Sequence, residues 1–106
     1  NGWLDGKGIA PTRNGLDWLA EAFQRNYPDE LLPPYLYPTA EGGVQAEWSV
    51  NGWEVTLEID LDQHQGQWHA LDMANAQEQE KSLNLNEPAD WQWLATEITQ
   101  RIGGDA

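Results

Sequence analysis

Gly43–Asp60 reads GVQAEWSVNGWEVTLEID, two alternating runs joined by Asn51-Gly52. Asn-Gly between alternating apolar runs is the strongest short-range hairpin signal, because both central residues of a type I′ turn need positive φ. With Asn51 and Gly52 as the turn, Val50 faces Trp53, Trp48 faces Val55, Ala46 faces Leu57 and Val44 faces Ile59. Strand side chains alternate with period two, so these residues share one face. The other face carries Gln45, Glu47, Ser49, Glu54, Thr56 and Glu58. The apolar side has to be covered, whereas the polar side can stay in water. Each apolar cross-strand pair adds roughly 0.2–1 kcal/mol beyond an alanine pair, which is too little for a free hairpin. The cover must come from elsewhere in the chain.

Two segments have the pattern for it. Leu16–Tyr27 places Leu16, Leu19, Ala20, Phe23 and Tyr27 at helical spacing. Pro11 suits the helix start and Thr12 or Asn14 the cap. Pro28 ends it by pushing Tyr27 out of the α region. A second helix opens at Asn86-Glu87-Pro88 and carries Trp91, Leu94, Ala95, Ile98 and Ile102 as its stripe. Glu87 and Asp90 complement its dipole at the start and Arg101 at the end, before Gly103-Gly104 stops it.

Between and after these lie further strands. Tyr35–Tyr37, bounded by Pro34 and Pro38, reads as a short edge strand, since proline cannot donate to a ladder. Leu61–Gly66 reads as a polar loop. Gln67–Met73 reads as the third long strand, with Leu71 and Met73 towards the core and Trp68 on the open face. Ala74–Glu80 reads as a turn, and Lys81–Leu85 as the last strand with Leu83 and Leu85 inward. The predicted fold is α+β in two layers: an antiparallel meander of four to five strands with N- and C-terminal helices packed on one face. Residues 1–106 form one domain, in which residues 1–15 are a Gly-rich lead-in pinned to the body by Trp3 and Leu4.

The chain has 18 acidic and 5 basic residues, a net charge of −13, 7 tryptophans and no cysteine. Disulfides, thiol catalysis and Cys-based zinc sites are excluded. The charge argues against nucleic acid and against an anionic membrane surface, and it permits a basic protein partner. No apolar run is long enough to span a bilayer, and no signal-peptide pattern is present, so a soluble cytoplasmic domain is expected. The start at Asn1 rather than Met points to an upstream piece that has been removed. Oligomeric state is not encoded in any pattern found here.

The segment Tyr37-Pro38-Thr39, then Glu41-Gly42-Gly43-Val44 and Glu47-Trp48, resembles a motif of small bacterial proteins of unknown function. There a proline-bounded turn with paired glycines leads into a strand ending Glu-Trp, and Trp68-His69-Ala70-Leu71 fits the same setting. The resemblance implies a shared fold and carries no chemistry with it.

For chemistry, the bland readings outweigh the sharp ones. Asp60-x-Asp62-x-His64 lacks the Gly and Glu that a calcium loop needs at its sixth and twelfth positions, where Gln65 and Leu71 stand. His64 and His69 with Asp60 or Asp62 read as solvated loop residues rather than metal ligands. Glu47, Glu54 and Glu58 would stand on a flat sheet, without the walls a glycosidase carboxylate pair requires. Ser49 and Ser82 lack a nucleophile elbow, and no cofactor fingerprint is present. The expected function is a non-enzymatic interaction module binding a basic protein through Glu47, Glu54 and Glu58, with Tyr35, Tyr37 and Trp68 beside them. A small-ligand or carbohydrate-binding module using those three aromatics is the alternative.

Overall fold

The computed structural model describes residues 11–103. The lead-in expectation for Trp3 and Leu4 lies outside the described residues. The order is α1 (Arg13–Asn26), β1 (Tyr35–Pro38), β2 (Val44–Val50), β3 (Trp53–Asp60), β4 (Gln65–Asp72), β5 (Gln77–Asn84) and α2 (Pro88–Gly103). The strands form one antiparallel meander in sequence order, and the helices cover one of its faces. Among the described residues, no helix is long and apolar enough to cross a membrane.

The turn at Asn51-Gly52 forms as expected, with φ of 49° and 82° and the pairs Val50–Trp53, Trp48–Val55, Ala46–Leu57 and Val44–Ile59. It also anchors the helical layer. The Asn51 side-chain amide donates to the carbonyls of Arg101 and Ile102 at 2.7 and 3.0 Å, satisfying carbonyls that the end of α2 leaves open.

The core beneath the helices is built on indoles. Trp48, Trp68 and Trp91 are each about 1% exposed, and each buried N–H finds an acceptor, as an indole in a core requires. Trp48 Nε1 donates to the Tyr27 hydroxyl at 3.0 Å and to the Leu32 carbonyl at 3.2 Å. Trp91 Nε1 donates to the Leu85 carbonyl at 2.8 Å, and Trp68 Nε1 to Gln79 Oε1 at 2.9 Å. Burial pushes the Tyr27 hydroxyl above its ordinary pKa, opposed by the hydrogen bond from Trp48. Arg101 reaches back along α2 into this layer. Its guanidinium lies 4.2 Å from the Trp53 ring centre, pairs with Glu97 at 2.8 Å and donates to Gln79 at 3.0 Å.

α1 starts at Arg13, capped by Thr12, whose hydroxyl accepts from the Gly15 amide at 3.0 Å. The helix is rotated from the expected stripe. Gly15, Leu19 and Ala22 are the buried positions, whereas Leu16 is 43% exposed and Ala20 is also exposed. The rotation follows from close approach at Gly15, where a Cβ would stand 2.8 Å from Leu61 Cβ.

The largest correction concerns β4. It spans Gln65–Asp72, not Gln67–Met73, and pairs Leu57 with Trp68 and Val55 with Ala70. Trp68 and Ala70 therefore point under the helices, and His69 and Leu71 point outward. Met73 lies in the next turn and is 60% exposed. The strand starts two residues early because the connection before it is a four-residue loop, Leu61–His64, rather than a six-residue one. Both counts are even, so the side that faces inward is set by pairing with β3 and not by the hydropathy of Leu71 and Met73. Likewise β5 starts at Gln77 rather than Lys81, after the four-residue connection Met73–Ala76, and most of the stretch expected as a turn is strand.

Both four-residue loops are made the same way. Asp60 Oδ1 accepts from the amides of Asp62 and Gln63, each at 2.9 Å, and His64 closes the loop at φ 57°. Asp72 Oδ1 accepts from Ala74 and Asn75 at 3.0 and 3.4 Å, and Ala76 closes at φ 56°. The Asn75 side chain, with these amides, holds the Asp72 carboxyl below its ordinary pKa.

Candidate functional site

The face away from the helices is the open surface that the hairpin pattern requires. Strand pairing arranges it in rows. One row runs Tyr35, Glu47, Thr56, His69 and Glu80 across all five strands. A second runs Tyr37, Gln45, Glu58, Gln67 and Ser82. A third runs Ser49, Glu54, Leu71 and Glu78. Glutamates 47, 54 and 58 thus sit where the sequence places them, with Tyr35 and Tyr37 at the β1 edge, 71% and 47% exposed. Trp68 is absent from this surface. It is a core residue, and the expected cluster of three rings and three carboxylates contains only two of the rings.

No glutamate of the face stands directly opposite another in the pairing. Neutral residues separate them across strands, which avoids the destabilising direct like-charge pair. Ser49 caps Glu54, its hydroxyl lying 2.9 and 3.0 Å from the two carboxylate oxygens, and Gln45 donates to Glu47 at 2.6 Å. The carboxylates are held by neutral donors. Among the described residues, the face carries no lysine or arginine. Arg13 and Arg25 lie on α1, Lys81 stands over Trp93 at 5.3 Å, and Arg101 lies over Trp53, all on the helical side of the sheet.

The acidic surface continues round one end of the sheet into a shallow cleft of about 480 Å³, where Glu41, Glu58, Asp60 and Asp62 gather. The histidines part company. His64 stacks on Trp18 at 3.8 Å with the rings 4° from parallel, and its Nδ1 lies 2.9 Å from Asn86 Oδ1. His69 stands on the open face, with its Nε2 2.9 Å from Glu78 Oε1. One ligand atom from each of His69, Glu78 and Glu80 can be chosen so that all three lie within 4.8 Å of one another.

Glu78 and Glu80 are the residues that sequence reasoning missed, because their stretch reads as a turn. The signal that could have found them is the repeated loop pattern, Asp60 to Gln65 and Asp72 to Gln77. Once the first closes a four-residue loop, the second pairs Glu80 with His69. No family model matches this chain, and no curated protein or solved structure matches it. The function is therefore argued from the surface itself.

Proposed function

We propose that this chain is a small acidic, non-enzymatic interaction module whose open sheet face docks onto a basic protein, as an antitoxin, immunity protein or inhibitor does. The observation that carries this reading is the segregation of charge. Glu47, Glu54, Glu58, Glu78 and Glu80 share one face, and the described lysine and arginines all lie on the other side. A single-signed surface steers an oppositely charged partner and fixes its orientation more than it adds raw affinity. Tyr35 and Tyr37 at the rim supply the aromatic contact area that carries binding energy at protein interfaces. A sugar-stacking surface would use the rings of the open face, and burial of Trp68 leaves it two of the three.

The test is capture of partners from lysate at low and high salt by the wild-type chain and by a Glu47→Gln, Glu54→Gln, Glu58→Gln variant. The expected result is a basic protein retained at low salt by the wild type alone. Retention that ignores both salt and the three substitutions would remove the electrostatic basis.

A further inference from the structure

We propose that His69, Glu78 and Glu80 form a binding site for a divalent d-block cation of the zinc class. The ligands are His69 Nε2 and one carboxylate oxygen from each glutamate. The site lies on the acidic face but does not depend on that face meeting a protein partner.

Convergence is the first argument. Glu80 pairs with His69 across the β4–β5 ladder, and Glu78 follows at the spacing of two that returns a strand side chain to the same face. The three donors lie within 4.8 Å of one another, and His69 Nε2 already approaches Glu78 at 2.9 Å. In a tetrahedral site with ligands at the usual zinc distances, donors stand about 3.4 Å apart. Small rotations of two exposed glutamate side chains reach that separation, while the histidine is held by the central part of the sheet.

Ligand chemistry is the second. One imidazole with two carboxylates suits a borderline cation, whereas calcium and magnesium demand six or more oxygens. A fourth position facing solvent is left for water or for a donor from a bound molecule. The third is the surrounding charge. Among the described residues, no lysine or arginine shares this face, so no resident cation competes for the carboxylates. The contrast with His64 is instructive: its ring is stacked on Trp18 and bonded to Asn86, and it stands in the β3–β4 loop rather than beside an acid pair.

The experiment is calorimetric titration of the metal-free 106-residue chain with zinc alone, repeated with calcium alone, and followed by the imidazole NMR signals. Zinc is expected to saturate at one equivalent and to move the His69 ring signals while leaving those of His64 in place. His69→Ala and Glu80→Gln should each weaken binding by at least about tenfold, the loss that even a supporting residue of a metal site causes. Glu54→Gln, on the same face but outside the triad, should bind zinc as the wild type does. Circular dichroism checks that each variant is folded; His69→Gln replaces the alanine variant if that one is not. Undiminished zinc binding by the His69 variant overturns the site, as does an equal loss in Glu54→Gln, which would mark diffuse attraction by the acidic face. Calcium binding as tight as zinc would overturn it too.

Discussion

On the covered face of the sheet, Trp48 and Trp68 stand 6.2 Å apart with both of their indole N–H groups satisfied; one residue along the same strands, Glu47 and His69 lie half-buried on the open face. The difference between the two faces is set by parity alone, and it separates what holds the fold from what remains for contact. Even the cations follow it. Arg101 lies between indoles with its Nε buried and unpartnered among the described residues, and its charge rests on the Trp53 ring, Glu97 and Gln79. The glutamates of the other face have no cation of this kind beside them.

Substitutions on the covered side should therefore cost stability and those on the open side should not. Trp48→Ala has the largest expected effect, about 3–5 kcal/mol in urea unfolding, a large share of the total stability of a domain of this size. A loss below about 1 kcal/mol would mean that the indole layer is not the core. Arg101→Met should cost roughly 2 kcal/mol, the scale of a desolvated cation–ring contact. Asn51→Gly keeps the positive φ of the turn but removes two bonds to the end of α2. It should cost about 1 kcal/mol, read as a lower melting temperature.

The open face sharpens the contrast. Changing Glu47, Glu54 and Glu58 together to Gln should alter stability by no more than about 0.5 kcal/mol, as surface changes usually do. The sign should favour the variant, because self-repulsion falls. The smallest effect is a pH dependence at the β4–β5 turn. Asp72 has a lowered pKa, so its contribution is present above its unfolded value of 3.8 and is lost as pH falls through the lower, folded value. The stability gap between wild type and Asp72→Asn should shrink on acidification through that range. A gap that widens would contradict the hydrogen-bonded carboxylate.

The central hairpin was legible because its turn uses the two residue types that tolerate positive φ, and the whole β2–β3 register follows from them. The edge strand between prolines was legible for the same kind of reason. The later strands were not, because His64 and Ala76 occupy the left-handed positions of their loops, where Gly or Asn is the usual signal. Reading β4 by the hydropathy of Leu71 and Met73 put the wrong side inward. Loop parity held the answer: any even-numbered connection after Asp60 brings Trp68 onto the face of Leu57 and Ile59. The glutamates of β2 and β3 were legible as an open-face set, whereas Glu78 and Glu80 became visible only once β5 was aligned beside His69.

The most direct test of the account is backbone NMR of the chain titrated with a lysine- and arginine-rich peptide. The account predicts saturable shifts on β2, β3 and β5 at Glu47, Glu54, Glu58 and Glu80, with Tyr35 and Tyr37 at the rim. Shifts confined to α1 and α2, with the open face unmoved, would contradict it.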